Sequence, residues 1–266
     1  CSSDLHKWGY FPSFSAAWRV SEENFMKNNL KFVNNFKVRG SFGSLGNENI
    51  DKLYKYQSLI SSGDGTETVY GNPNLTWETV QMLNVGADIR LFKDLDITID
   101  YYNKLTKDLI LEPPISFIGG SGTVFLNSGE LRNKGWEIDV NYGKQLTKIH
   151  GGLSHNENKI ESLFGGPYYN GGSINKEGYA LNSHLVYPTA GLLQESDFTK
   201  DASGKWIPKE GVVIWDGQQP GDIHYLDTDN DGKITADDRV IRGDSQPSLN
   251  YFANVSLDWK KWNLEV

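Results

Sequence analysis

The chain has 266 residues and a formal net charge of −8, with 38% hydrophobic and 12% aromatic residues. The negative charge argues against nucleic acid as a partner, because nucleic-acid binding requires a basic surface. The longest unbroken hydrophobic run, residues 212–215, is far too short for a transmembrane helix. A membrane β-barrel is not excluded on this ground, since its lipid-facing residues alternate with polar ones.

The cysteine and glycine contents restrict the fold further. Cys1 is the only cysteine, so the sequence predicts neither a disulfide framework nor a cysteine metal cluster. A chain that begins Cys-Ser-Ser-Asp fits either a lipoprotein acylated on Cys1 or a loop before a strand. The 28 glycines, with many Asn, Asp and Ser, predict numerous turns. Because the last residues fall within a strand pattern, we expect a fragment of a longer protein.

Alternation of apolar and polar residues predicts a series of long strands. The clearest examples are residues 95–101, 136–142 and 249–259. Alternation with a period of two places one residue set on each face of a strand. The apolar sets end in aromatic residues, such as Trp136 and Tyr142, which is typical of the outer wall of a membrane β-barrel. The predicted strands are residues 8–20, 36–45, 77–91, 95–108, 134–143, 149–160 and 248–258, with another beginning at Trp262.

The connections between these strands alternate between short and long. Tight turns are predicted at 92–94, 144–148 and 259–261, and long connections at 47–76, 109–133 and 161–247. The connection 21–35 is intermediate and is predicted to contain a short helix capped by Ser21. Such alternation is typical of outer-membrane barrels, whose periplasmic turns are short and extracellular loops long. The apolar segment 183–194 would break this parity, so we assign it to a sheet extension within the excursion 161–247.

Two soluble alternatives remain open at this point. A calcium-stiffened, carbohydrate-binding β-sandwich would show the same alternation with one face buried. A glycoside hydrolase would carry its two carboxylates on loops, at a separation that the sequence cannot reveal. Strand length and loop parity favour the barrel, because strands of about 9–11 residues suit a tilted membrane crossing.

Six motifs resemble the barrel of SusC/RagA-like TonB-dependent transporters of Bacteroidota outer membranes. They are residues 11–23 (FPSFSAAWRVSEE), 37–47 (KVRGSFGSLGN), 72–78 (NPNLTWE), 100–108 (DYYNKLTKD), 127–137 (NSGELRNKGWE), and 220–222 (PGD) leading into 227–238. The resemblance implies an all-β fold in which residues 1–266 supply about eight of about 22 antiparallel transmembrane strands. It further implies TonB-dependent import of a glycan or peptide, a SusD-like surface lipoprotein as partner, and contact with outer-membrane lipid.

The most specific local signal is the acidic loop 227–238, DTDNDGKITADD. Acids at loop positions 1, 3, 5 and 12 with glycine at position 6 match a calcium loop. The predicted ligands are Asp227, Asp229, Asp231, the carbonyl of Lys233, and Asp238. Asp in place of Glu at position 12 and the absence of flanking helix patterns indicate an isolated structural loop. The alternative is an acidic turn whose carboxylates are satisfied by its own amides.

Candidate substrate contacts are aromatic residues of the excursion, because flat rings stack on sugars. They are Tyr168, Tyr169, Trp206 and Trp215, with Tyr187 as a further ring; the alternatives are loop packing or contact with the lipoprotein. Polar residues expected to face the barrel lumen are Asp96, Asp100, Glu137, Asp139 and Asn141. His150 and His155 are predicted to lie on opposite faces of a strand, so they cannot share a metal. Residues 119–122 are predicted to be a loop tip, and the sequence contains no motif that indicates an enzyme.

Overall fold

The structure is a computed structural model that describes residues 9–47, 58–60, 63, 65, 67–112, 123–144 and 146–266. Its strands, in chain order, are β1 (Ser13–Arg19), β2 (Val33–Asn47), β3 (Leu59–Ile60), β4 (Glu67–Tyr70), β5 (Glu78–Leu91), β6 (Leu95–Leu111), β7 (Thr123–Val124), β8 (Leu126–Lys144), β9 (Thr147–Leu163), β10 (Tyr168–Asn170), β11 (Ser173–Asn175), β12 (Ser183–Val186), β13 (Thr189–Leu192), β14 (Phe198–Lys200), β15 (Trp206–Pro208), β16 (Ile223–Tyr225), β17 (Val240–Ile241), β18 (Leu249–Trp259) and β19 (Trp262–Glu265). The described helices are α1 (Asn24–Asn29) and three 3-10 helices at Val20–Glu22, Glu195–Asp197 and Ala236–Asp238. None of them is long and apolar enough to cross a membrane.

Eight strands form one antiparallel sheet, which we call the wall sheet. Its order is β1-β2-β5-β6-β8-β9-β18-β19, so neighbouring strands follow one another along the chain. Strand β18 pairs with β9 from Leu249↔His155 to Leu257↔Thr147, although the whole excursion separates them in sequence. The predicted number of wall strands is therefore confirmed. Within the described residues β1 and β19 each have one wall neighbour, so this section of the wall is open.

The register divides the wall sheet into an apolar and a polar face. One continuous row joins Trp18, Val38, Ala87, Ile99 and Ile138 on successive strands. The large side chains that this face exposes include Phe14, Trp18, Phe42, Leu83, Val85, Ile99, Tyr101, Ile149, Leu153, Tyr251, Val255, Leu257 and Trp259. Leaving a large apolar side chain in water forgoes roughly 1.5–3 kcal/mol. Because the thirteen named side chains are about half exposed on average, the sum is roughly 10–20 kcal/mol. This is comparable to the roughly 5–15 kcal/mol by which a typical domain is stable, so an apolar surrounding would stabilise this face strongly.

Several wall strands are longer than predicted. Strand β8 begins at Leu126 instead of residue 134, β6 extends to Leu111, and β9 extends to Leu163. The prediction was wrong there because apolar and polar residues no longer alternate regularly toward these ends. Arg132, for example, lies on the face that carries Trp136 further along β8. The backbone ladder continues, but the alternation that signals a strand disappears.

The connection between β1 and β2 also differs from the prediction. Helix α1 begins at Asn24, and neither it nor the preceding 3-10 helix has a side-chain cap. The hydroxyl of Ser21 is buried and has no hydrogen-bond partner among the described residues. The predicted capping role of Ser21 is therefore wrong. Residue 21 lies inside the 3-10 turn, where its side chain cannot reach the amides that begin α1.

Part of the excursion forms a compact unit of its own, Tyr169–Ile174 with Asn182–Ser245, which we call the second unit. Its strands pair locally, β12 with β17, β13 with β16, and β14 with β15. Leu193 and Phe198 are 1% and 3% exposed, so the second unit has an apolar core. As predicted, residues 183–194 stay out of the wall sheet, but they form β12 and β13 in two separate small sheets instead of a sheet extension.

Candidate functional site

The polar face of the wall sheet carries a network of paired charges. Arg39 on β2 donates from Nη2 to Asp100 Oδ2 on β6 at 2.6 Å, and its Nε lies 3.4 Å from Asp88 on β5. Toward the short turns, Arg90 makes two hydrogen bonds to Asp96, at 2.5 and 2.8 Å. The register places Asp96, Asp100, Glu137, Asp139 and Asn141 on this one face, as predicted. Asp88, Asp96 and Asp100 are thus each paired with an arginine, so their negative charges are compensated within this face.

Three glycines allow long side chains to cross this face. A Cβ at Gly86 would collide with Asp100 and Arg39, so the bare backbone gives their ion pair its path over β5. Tyr102 crosses Gly135 in the same way and donates to Asn156 Oδ1 at 3.1 Å. The ring of Phe252 lies against Gly152 and meets the ring of His150 edge-on at 4.9 Å. In each case a side chain lies directly against the glycine backbone, where a β-carbon would prevent the contact.

The two histidines of β9 lie on opposite faces, as predicted. His150 Nε2 is 2.8 Å from Asp139 Oδ2 on the polar face. His155 lies on the apolar face, where its ring is 6.0 Å from that of Trp136. The two side chains therefore cannot bind one metal ion.

Asparagine side chains tie together the loops at the opposite end of the wall from the short turns. Asn127 accepts from the amide of Thr76 at 2.7 Å and donates to the carbonyl oxygens of Thr76 and Asp108. Asn72 donates to the carbonyl of Phe125 at 2.9 Å. The motifs 72–78 and 127–137 thus contact each other through side chains that complete backbone hydrogen bonds. The predicted loop tip at 119–122 and the N-terminal Cys1 lie outside the described residues.

The second unit contains a pocket of about 670 Å³ that Trp206 lines. Pro208 and Ile214 add apolar surface, while Asp201, Asp216 and Gln218 add polar groups. The Nζ of Lys200 lies 4.2 Å from the Trp206 ring centroid, a cation–π contact that fixes the ring. An aromatic wall with a few polar groups is the chemistry of a pocket for a sugar or a peptide side chain.

A tight turn forms one side of this pocket. Asp201 Oδ1 accepts from the hydroxyl of Ser203 at 2.6 Å and from the amides of Ser203 and Lys205. The Ser203 hydroxyl, followed by the Lys205 amide, holds the pKa of Asp201 below its ordinary value. Asp201 is therefore a fixed negative charge at neutral pH.

The other predicted aromatic contacts are distributed differently. Trp215 packs against Tyr187 and Tyr225, with ring centroids 5.0 and 5.5 Å away, so part of its surface is used in loop packing. It remains 41% exposed, and its neighbours Ile214 and Asp216 line the Trp206 pocket. Tyr168 and Tyr169 belong to β10 and do not line that pocket. The structure thus brings Trp206 and the Trp215 segment together, but not the two tyrosines of β10.

The acidic loop gathers three of its predicted metal ligands. One carboxylate oxygen from each of Asp227, Asp229 and Asp231 lies within 4.8 Å of the other two. Calcium–oxygen distances of about 2.3–2.6 Å allow ligands up to about 5 Å apart, so this spacing fits Ca²⁺. Gly232 has a φ of +82°, which allows the turn after the third acid.

Asp238 closes the acidic loop by another means. It is fully buried, and its two oxygens accept from the amides of Thr228 and Thr235, each at 2.6 Å. The Thr235 and Thr228 amides hold its pKa below the ordinary value. At Asp229, the amide of Asp231 lowers the pKa, but partial burial and the charges of Asp231 and Asp238 outweigh it and raise the pKa overall. The carboxylates repel one another, which a cation would relieve.

These geometries can now be compared with known proteins. Residues 2–266 match the family model described as TonB dependent receptor-like, beta-barrel. The chain belongs to this family. The wall sheet is therefore a section of a TonB-dependent receptor barrel, and the predicted SusC/RagA-like family is confirmed.

Two curated relatives are much longer than this chain. TonB-dependent receptor P3 of Formosa agariphila is 30% identical over 99% of this chain, which covers 28% of that receptor. TonB-dependent receptor SusC of Bacteroides thetaiotaomicron is 30% identical over 68% of this chain, which covers 22% of SusC. The chain thus spans roughly a quarter of the length of the relatives that it matches.

A solved structure confirms the fold. The structure of the RagAB peptide transporter superposes on 96% of this chain with a TM-score of 0.72 and 20% identity, and the match covers 28% of that chain. At this identity the likeness establishes the barrel fold and nothing about the substrate.

Sequence reasoning missed several contacts of this receptor section. Arg39 was not selected, although its motif 37–47 was, because its partner Asp100 lies 61 positions away. Lys200 was missed because a cation five or six residues from a tryptophan is common by chance. The glycine at position 86 interrupts an otherwise regular strand pattern, which is the one signal that could have indicated a close approach.

Proposed function

We propose that this chain is part of the barrel of an outer-membrane transporter that imports an oligomeric nutrient, a glycan or a peptide, with energy supplied through TonB. The single observation that carries the proposal is the reversal of the usual pattern: from the short turns up to Tyr101 and Trp136, the wall sheet exposes large apolar side chains on one face and keeps its ion pairs, such as Arg39–Asp100, on the other. Lipid satisfies the first face and a hydrated lumen the second. The names of the relatives, TonB-dependent receptors including SusC, agree with transport.

A SusD-like surface lipoprotein is the proposed partner. The relative SusC and the fold neighbour RagAB support this at the level of the family. Long connections on one side of the wall would face the lipoprotein, because β5–β6 and β18–β19 close on the opposite side with short turns. In this arrangement the long connections, including the excursion 161–247, would leave the wall on the extracellular side.

The proposed substrate contact within this chain is the Trp206 pocket. It combines a ring fixed by Lys200 with the charge of Asp201, so it suits a ligand with both apolar and hydrogen-bonding surface. Trp215, Tyr168 and Tyr169 stay predicted contacts. We assign no catalytic role to the pocket acids, in keeping with a family of transporters.

Calcium is part of the same proposal. Asp227, Asp229 and Asp231, with the carbonyl of Lys233 and with Asp238, would hold Ca²⁺ and stiffen the second unit. The convergence of the three carboxylates supports this. Asp238 already accepts from the amides of Thr228 and Thr235 and from the Thr228 hydroxyl, so its role as a calcium ligand stays a prediction.

The soluble β-sandwich alternative lacks support from the described residues. A sandwich would cover the apolar face of the wall sheet with a second sheet. Tyr251 and Trp18 on that face are 81% and 53% exposed instead.

The transport proposal is tested with the full-length receptor in its own cells. Deleting its gene is expected to abolish uptake of one class in a panel of purified oligosaccharides and peptides of matched mass. Deleting the TonB gene should abolish the same uptake. Restoration with the Trp206→Ala receptor should give reduced uptake at low substrate concentration, and Trp206→Phe should restore most of it. Undiminished uptake of the whole panel without the receptor would contradict the proposal.

A further inference from the structure

On the apolar face of the wall sheet, an aromatic row ends the apolar zone on three strands. Tyr101 on β6 pairs with Trp136 on β8, which in turn pairs with His155 on β9. One row further, away from the short turns, Lys134 lies between Asn103 and Glu157. The row after that pairs Arg132 with Lys159. The same face therefore changes from apolar to charged within two rows.

The charged side chains line a pocket of about 360 Å³ above Tyr101. Arg132 donates from Nε to Glu161 at 2.7 Å and from Nη1 to Asn103 at 3.0 Å, so its guanidinium is fixed in place. Lys134 lies 3.1 Å from Glu157, and Lys159 lies 3.6 Å from Glu161. The two lysine side chains remain 42% exposed, and ion pairs this exposed are weak. Their ammonium groups are available to a more highly charged anion.

Within the described wall strands, this charge cluster belongs to β8 and β9. On β2 and β5, the same register row that contains Lys134 carries Phe42 and Leu83, both apolar. One row further these strands carry Ser44 and Gln81, which are uncharged. The pocket itself contains three cations and two carboxylates, although the chain as a whole has a net charge of −8. This pocket therefore carries an excess of positive charge on an otherwise acidic protein.

The depth of the pocket relative to the aromatic row is that of a lipid headgroup. Aromatic rings of a membrane barrel mark the boundary of the hydrocarbon layer. Two residues of strand rise about 6.6 Å, which at a tilt of about 40° gives about 5 Å of depth per row. The polar layer of one leaflet is about 5–7 Å thick. The row of Lys134 and Glu157 thus lies within it.

We propose that this pocket binds the phosphorylated headgroup of an outer-leaflet glycolipid, an inference that rests on the proposed placement of the wall in the outer membrane. Lys134 and Lys159 bind the phosphate as point charges, and Arg132 binds it through its planar guanidinium. Glu157 and Glu161 hold these cations apart and oriented. Tyr101 and Trp136 contact the adjoining sugar and the start of the acyl chains.

The test uses the full-length receptor in detergent micelles, titrated with diphosphorylated lipid A and, separately, with dephosphorylated lipid A, and observed by native mass spectrometry. Wild type is expected to bind the phosphorylated lipid preferentially. Lys134→Gln should weaken binding of the phosphorylated lipid about fivefold, and the double variant Lys134→Gln with Lys159→Gln about 25-fold. The factor of about five per lysine corresponds to the loss of one charge contact at the membrane surface. Lys104→Gln is the matched control, because Lys104 lies level with Asn133 on the opposite face of the sheet. It should leave binding unchanged.

Three outcomes would overturn the proposal. They are equal binding of the two lipids by wild type, an equal loss in Lys104→Gln, and complete competition by millimolar inorganic phosphate, which would indicate a free-anion site. Heat-modifiable migration in SDS gels establishes that each variant is folded, and the wild-type comparison needs no variant. Binding in detergent is independent of import. A receptor that discriminates the lipids but imports nothing would contradict the transport proposal alone, and the reverse result would contradict the headgroup proposal alone.

Discussion

Arg39 and Asp100 lie on strands that are not neighbours, and their side chains meet at 2.6 Å across the bare backbone of Gly86. The strand between them, β5, contributes Asp88 as a second acceptor for Arg39. A charge on β2 is thereby tied to a charge on β6 over the polar face of the wall. The contact depends on one missing β-carbon, so it can be broken without removing either charge.

Replacing Gly86 with alanine is expected to uncouple Arg39 from Asp100. In the wild-type background, a double-mutant cycle of Arg39→Gln and Asp100→Asn should give a coupling free energy of about 0.5–1 kcal/mol, because both side chains are partly exposed. In the Gly86→Ala background the coupling should fall close to zero, because the new Cβ collides with both side chains. Denaturant unfolding of the full-length receptor in detergent measures it. Gly143→Ala is the control, because its Cβ would meet only Lys148 Cγ at 3.8 Å; equal coupling in both backgrounds would refute the crossing.

The stability of the second unit should depend on Leu193 and not on the neighbouring Leu192. Leu193 is 1% exposed, whereas Leu192 is 56% exposed. Leu193→Ala should destabilise the second unit by about 2–5 kcal/mol, through lost burial and the cavity left behind, while Leu192→Ala should change it by less than about 0.5 kcal/mol. Hydrogen exchange of residues 182–245 in the full-length receptor measures the difference. Similar exchange in the two variants would mean that the second unit has no core of its own.

Acid should loosen the turn at Asp201. Its pKa is lowered in the folded protein, chiefly by the Ser203 hydroxyl. The stabilisation is therefore complete above the unfolded pKa of about 3.9 and is lost as the pH falls through the lower folded value. At pH 7 the amides of Ser203 and Lys205 should be protected from exchange about threefold better in wild type than in Asp201→Asn. Below about pH 4 this difference should shrink.

The matched control for the charge at Asp201 is Asp216→Asn, which neutralises another acid of the same pocket. It should leave the protection of Ser203 and Lys205 at the wild-type level. A wild-type advantage at Asp201 that persists unchanged into acid would show that the carboxylate charge does not hold the turn.

Calcium should protect the second unit from proteolysis. At a concentration about ten times its dissociation constant, calcium should slow cleavage within residues 195–247 about tenfold relative to EDTA. It binds the folded loop and not the unfolded loop, so it lowers the fraction of molecules that the protease can cut. Asp229→Asn or Asp231→Asn should remove the effect. Asp237→Asn should retain it, because Asp237 is an exposed acid outside the group of three carboxylates. Cleavage at the same rate in calcium and EDTA would favour the acidic turn satisfied by its own amides.

The success and failure of the predictions have one physical origin. The segments 95–101, 136–142 and 249–259 were assigned to strands and faces correctly. Neighbouring residues of such a strand point to two faces with different surroundings, so apolar and polar residues alternate in the sequence. Strand β8 was begun eight residues late, at position 134 instead of Leu126. In the missed segment, residues such as Arg132 are held in the sheet by backbone hydrogen bonds, which no side-chain pattern signals.

The metal and substrate predictions illustrate the same limit. The acidic loop could be read in sequence because its ligands lie within twelve consecutive positions. The Trp206 pocket could not be predicted, because its lining residues come from the turn before β15, from β15 and from the loop after it. The ring of Trp206 is in addition contacted by Lys200 across the β14–β15 hairpin. Tyr168 and Tyr169 were predicted for the same reason as Trp206, because they are aromatic residues of the excursion, but they belong to a different strand.

The sequence by itself determined the strand series, the two faces of the wall, the family and the acidic loop, because each depends on residues close together along the chain. Only the tertiary structure decided which charges pair across Gly86, which rings share a pocket, and where Arg132, Lys134 and Lys159 meet above Tyr101. Those contacts depend on the register between strands. Register is set by the summed pairing of whole strands, so residues dozens of positions apart become neighbours without any local pattern that marks them.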